Sequence, residues 1–209
     1  NTIASGRGAS IVGTSDRSIA IGFSASVNNA ITDAIAIGPN TEVRQIGSVV
    51  IGANAYSGEN NIATESHVVI GQNASVPPNS PGGIAIGDGA NLVATPGVDS
   101  PGRIAIGSAA VVGASSNNAI TIGSSAIPDG QTDGISIGRS IVNGGGGYTG
   151  VGNIGLGNTI SFGYGAEENI ALGGIIVGDV GSFNVSIGRV LQQHGASTIL
   201  IGEASSVYS

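Results

Sequence analysis

The chain has 209 residues and a formal charge of −7, set by 13 acidic residues against 6 arginines, with no Lys, Cys, Met or Trp. It therefore lacks the clustered positive charge that nucleic acid requires, it can form neither disulfides nor thiolate metal sites, and no 18-residue apolar run offers a spanning helix. With 38 glycines and 3% aromatics, the apolar content is Ile, Val, Ala and Leu, a thin core that suits stacked short strands.

In chain order the sequence restates one phrase. "IAIGFSASV" begins at Ile19, "IAIGPNTEV" at Ile35, "IAIGDGANL" at Ile84 and "IAIGSAAVV" at Ile104. Aligned on its glycine, the phrase recurs at Gly6, Gly22, Gly38, Gly52, Gly71, Gly87, Gly107, Gly123, Gly138, Gly157, Gly173, Gly188 and Gly202, thirteen units spaced 14 to 20 residues apart. That period is too short for helical repeats and predicts one turn of β-structure per unit.

Ile or Val stands three residues before every glycine, and Ile or Leu one residue before it in every unit but the first. Residues two apart on a strand share a face. The pairs Ile19 and Ile21, Ile35 and Ile37, Ile84 and Ile86, Ile104 and Ile106, and Ile120 and Ile122 thus form one branched ladder. The residue between them is mostly small and never charged, so this inner strand is predicted to be buried on both faces. Gly22, Gly38, Gly87, Gly107, Gly123 and their equivalents end it in a sharp turn. A second, weaker strand follows. Ala25, Ala74 and Ala90, with Val27, Val76 and Leu92, point inward; Ser26, Glu42, Tyr56, Ser75 and Asn91 face solvent.

The predicted fold is all-β: a parallel β-roll or solenoid of about thirteen two-strand rungs, one repeat domain over residues 1–209. No helix pattern covers the second face of the ladder. Another copy of the same sheet does so most economically, so a homo-oligomer is expected, and three flat sheets about an axis make a closed prism. The start at Asn1, with no signal peptide visible, reads as a fragment of a longer fibrous protein.

"SIAIGFSAS" at Ser18 to Ser26, "NAITIGSSA" at Asn118 to Ala126 and "NVSIG" at Asn184 to Gly188 resemble the NSVAIGxxS repeat of YadA-like heads of trimeric autotransporter adhesins. The likeness covers nearly the whole chain. It implies a left-handed parallel β-roll, a homotrimer, display on the bacterial outer surface and attachment to host matrix proteins such as collagen or to a cell-surface glycan. Many units here are longer than the family's, and its second half-motif is mostly absent. The same repeat occurs in bacteriophage tail fibres, so a virion fibre or spike that reads a receptor or acts as a spacer is the alternative.

Other constellations yield to plainer readings. "NGGGGYTGVGNIGLG" (Asn143 to Gly157) has glycine spacing like a dinucleotide fingerprint, but no helix pattern follows, which leaves a flexible loop. His67 and His194 read as exposed polar residues, and Asp129 and Asp133 as turn residues. Glu167 and Glu168 are adjacent, so on a strand they face opposite ways and make no carboxylate pair. No catalytic, cofactor or metal site is expected. Three insertions, Ser57 to His67, Val76 to Gly83 and Val93 to Arg103, cluster in neighbouring rungs. They are either binding loops or merely tolerated ones. Tyr56, Glu59, Pro77, Pro78 and Arg103 are the ligand-binding candidates.

Overall fold

The computed structural model describes the chain except residues 29, 59–65, 96, 115, 129–130, 144–149, 164–165, 179–182, 194–196 and 208–209. The chain divides into two compact units, Asn1–Ala109 and Ala110–Ser209. Each is a parallel β-solenoid, without helix among the described residues.

In the first unit, three-residue strands alternate with two-residue strands. The former are β1 (Ile3–Ser5), β3 (Ile19–Ile21), β5 (Ile35–Ile37), β7 (Val49–Ile51), β9 (Val68–Ile70), β11 (Ile84–Ile86) and β13 (Ile104–Ile106). The latter are β2 (Ser10–Ile11), β4 (Ser26–Val27), β6 (Glu42–Val43), β8 (Tyr56–Ser57), β10 (Ser75–Val76) and β12 (Asn91–Leu92). Each set stacks into its own parallel sheet, and like residues face like: Ile19 pairs with Ile35, Ala20 with Ala36 and Ile21 with Ile37, while Val27 pairs with Val43.

The space between the sheets is filled from both sides by small residues. Ala20, Ala36, Val50, Val69, Ala85 and Ala105 project from one sheet, and Ala25, Val27, Val43, Ala74, Val76 and Leu92 from the other; all are fully buried. The middle residue of the phrase is thus the core, and the isoleucines on either side of it point out. Ile3 is 55%, Ile21 40% and Ile70 36% exposed, and the other Ile and Val residues of the ladder are half-buried. A single chain thus covers the alanine face of this strand and leaves the isoleucine face outward, the face for which the sequence predicts another copy as cover.

The corner between the sheets explains the glycine column. Gly38 has φ of 132°, and a Cβ there would run into the carbonyl oxygen of Gly52 in the next rung, so both backbone angle and stacking exclude a side chain. The turn closes through Ala25 N–H donating to the Gly22 carbonyl at 3.4 Å. Its second residue is left-handed at Ser24, Asn40, Asn54 and Asn73, with φ of 52–56°, a conformation Asn tolerates. Neighbouring turns are tied by Asn40 Nδ2 to Asn54 Oδ1 and Asn54 Nδ2 to Asn73 Oδ1, both 3.2 Å.

The second unit contains β14 (Val111–Val112), β15 (Ile120–Ile122), β16 (Ile127–Pro128), β17 (Gln131–Thr132), β18 (Ile135–Gly138), β19 (Ile141–Asn143), β20 (Gly150–Val151), β21 (Ile154–Phe162), β22 (Ile170–Gly178), β23 (Val185–Gly188), β24 (Leu191–Gln193), β25 (Ile199–Gly202) and β26 (Ser205–Val207). The ladder continues from β15 through β18, β21, β22 and β23 to β25. What changes is the corner. In β21 and β22 the strand runs through it for nine residues.

The cause lies three residues after the glycine. In the first unit this position holds Ala or Thr wherever the glycine turn is tight; here it holds Ile141, Ile160, Ile176 and Leu191, all buried and packed with Phe162. An alanine lets the second strand fold back closely. A larger branched chain needs a wider interior, and the bend opens to make room. The column just before the ladder also changes. Asn169 donates to Asn153 Oδ1 from both N–H and Nδ2 at 3.0 Å, Asn184 N–H donates to Asn169 Oδ1 at 2.9 Å, and Thr198 N–H donates to Asn184 Oδ1 at 3.0 Å. Each buried amide is thereby satisfied by the next rung.

Candidate functional site

The three insertions lie in the first unit, and two of them flank a groove. After β10 the chain continues into Pro77–Pro78, where it cannot donate to a ladder. The loop turns at Asn79 and Gly82, with φ of 60° and 67°. It is zipped to the next insertion by Ser100 N–H donating to the Asn79 carbonyl at 3.0 Å and Gly102 N–H to the Pro81 carbonyl at 3.2 Å. Between the loops is a groove of about 490 Å³ lined by Pro77, Pro78, Leu92 and Val93, with the amides of Asn79 and Asn91 among its walls. That volume falls in the range of small-ligand sites. Among the described residues its lining side chains are apolar or carboxamide.

A buried polar relay lies in the same loop region. The Ser57 hydroxyl lies 2.8 Å from His67 Nδ1, His67 N–H donates to Ser48 Oγ at 2.8 Å, and the ring also bonds the Ser80 backbone. Arg103 donates to the Val93 carbonyl and to Ser80 Oγ. Ser57, His67, Ser80 and Arg103 are each fully buried. The relay thus connects all three insertions. Burial, and then the charge of Arg103, push His67 down to about 4, so it is neutral at physiological pH; burial pushes Arg103 down to about 10, where it keeps its charge.

Pro77 and Pro78 do line the groove. Arg103 does not face solvent; it ties the loops together from inside. His67, read from the sequence as exposed, is buried because the insertions close over it, and its pairing with Ser57 went unseen. A clue existed: His67 stands four residues before its glycine, in the column that holds the buried Ser18 and Ser48. The pair resembles part of a nucleophilic arrangement, but with both members fully buried no substrate reaches it, and its role is structural.

Tyr56 is half-buried on the outer sheet. The Arg44 guanidinium lies 5.5 Å from its ring centroid and Arg44 Nε donates to Glu42 at 2.7 Å. Glu59, His194 and Asp129 lie outside the described residues. Asp133 is exposed and accepts from Asn118 Nδ2 at 3.0 Å. Of the glycine-rich stretch, residues 144–149 lie outside the described residues; the part from Gly150 enters β20 and β21. Ile19, Ile21, Ile35, Ile37, Ile84, Ile86, Ile104 and Ile106 form one outward stripe in the first unit, and Ile120 and Ile122, paired with Ile135 and Ile137, occupy the equivalent positions in the second.

Among the described residues no cluster of three or more His, Asp or Glu could hold a metal ion, and no helix is long and apolar enough to cross a membrane. Compared with known proteins, the chain matches no family model and no curated protein.

Proposed function

We propose that the chain is a non-catalytic adhesive head of the YadA-like kind on the bacterial surface, in which three copies assemble through the isoleucine stripe and present their outer sheets and loops to a large ligand. The observation that carries the reading is the stripe itself. Branched apolar side chains project outward at two positions per rung, with Ile21, Ile70, Ile122 and Ile137 between 36% and 40% exposed. A repeated apolar surface of this extent marks an interaction site, and a ladder repeated in register is complementary to copies of itself. The outer strands of the first unit are the opposite in character. Ser26, Glu42, Tyr56, Ser75 and Asn91 repeat once per rung beside the groove, a polar array suited to many weak contacts whose sum makes attachment. The ligand class is a host matrix protein or a cell-surface glycan.

The test is saturable binding of the purified chain to immobilised collagen, fibronectin and glycans, beside binding to whole bacteria. Binding to a matrix protein or glycan, weakened only modestly by Tyr56→Ala, supports the adhesive head. Binding to bacteria with none to host matrix replaces it with a virion fibre.

A further inference from the structure

In the second unit the exposed apolar surface does not end with the stripe. Along β22, Ile170 and Leu172 belong to the stripe and Ala171 is buried between them. Beyond Gly173 the alternation resumes: Ile176 is buried, whereas Ile175 and Val177 are 47% and 36% exposed. In the adjoining strands Ile176 pairs with Leu191, which sets Val190, 46% exposed, beside Ile175. Ser161 pairs with both Val142 and Val177, and Val142 is 44% exposed. Four large aliphatic side chains therefore share one outward face past the bend.

None of the same repeat positions in the first unit holds a large aliphatic residue. Two residues after the glycine stand Ser24, Asn40, Asn54 and Asn73, where the second unit has Ile175 and Val190. Four residues after it stand Ser26, Glu42, Tyr56, Ser75 and Asn91, where the second unit has Val142 and Val177. The repeat itself thus does not require apolar residues at these places.

We propose that this second face, carried by Val142, Ile175, Val177 and Val190, packs against another copy of the chain, so that each copy is gripped on two adjacent faces in the second unit and on one in the first. The inference rests on the stripe-mediated assembly proposed above. The occupant is a second copy because the face continues the stripe on the same strand. Ile175 lies three residues past Leu172, roughly 10 Å along the backbone. A neighbouring copy with a strand as long as β22, nine residues, spans both Leu172 and Ile175. At the bend between the two faces, Arg189 Nη1 donates to Glu203 at 3.0 Å and both side chains remain exposed, which places the charge at the seam; on the second face the aliphatic residues are interleaved only with the uncharged Thr159, Ser161 and Gln192.

The chain has no cysteine, so one introduced thiol can be followed alone. Val177→Cys and Ser75→Cys occupy the same repeat position in the two units, and each is made in the full chain. The rate of labelling by a thiol reagent is measured at concentrations where light scattering shows the oligomer. The thiol at 177 is expected to react at least tenfold more slowly than the thiol at 75, with the difference lost in denaturant. In a second measurement, Ile175→Ser combined with Val177→Ser is expected to shift dissociation to at least tenfold higher protein concentration. Equal labelling rates, or an unchanged dissociation midpoint, in a protein that Ile106→Asp does dissociate would overturn the second face and leave the stripe standing. A monomeric wild-type chain would overturn both.

Discussion

The two units use the same strand, the same glycine column and the same isoleucine ladder, yet they turn their corners differently. In the first, alanine three residues after the glycine lets the chain fold back in a tight turn, and the interior is little more than alanine and valine. In the second, Ile160, Ile176 and Leu191 stand there, the bend opens, and β21 and β22 run through it. One position per rung thus separates the thin interior and tight corner from the thicker interior and open bend.

The largest effect should come from the element both units share. Gly38→Ala and Gly173→Ala each drive a Cβ into the carbonyl of the next rung's glycine. Each is expected to cost on the order of 3 kcal/mol or more, read as loss of the folded state in chemical denaturation. Tolerance at Gly173 alone would show that the open bend can shift to absorb a side chain, and would sharpen the contrast.

The corner position itself gives the next test, through exchange of its residues. Ile176→Ala leaves a cavity and should destabilise by about 2–5 kcal/mol. Ala74→Ile puts a branched chain into the tight corner and should destabilise by about 1–3 kcal/mol. If Ala74→Ile were neutral, side-chain size would not be what separates the two corners.

The glycine column and the ladder were legible because they repeat with a two-residue alternation that only a strand explains. The direction of the ladder was not: an isoleucine pair around an alanine says which residues share a face, and burial alone says which face looks inward. The corner switch was also written in the sequence, at Ile141, Ile160, Ile176 and Leu191, but it presents itself as a missing half-motif because the position is recognised by its alanines. The relay was least legible. His67 and Arg103 become buried only when residues of three successive insertions, Ser57, Ser80 and Val93 among them, meet around them.

That relay, confined to the first unit, predicts a smaller and pH-dependent effect. His67 is held near 4 in the folded chain against an ordinary value of about 6.5. Between these values the unfolded chain binds the extra proton, so stability is full above about pH 6.5 and declines as pH falls toward 4, by about 3 kcal/mol. Denaturant midpoints across that window should follow this curve, and His67→Asn should flatten it. A wild-type curve that is already flat would mean that His67 is not held neutral by burial.

The central claim is that one chain covers only the alanine face of its ladder and that copies of itself cover the isoleucine face. Sedimentation equilibrium of the purified chain at micromolar concentration tests this most directly. The account predicts a single species of three times the 20.1 kDa chain mass. A stable, fully folded monomer, with its isoleucine stripe left in water, would contradict it.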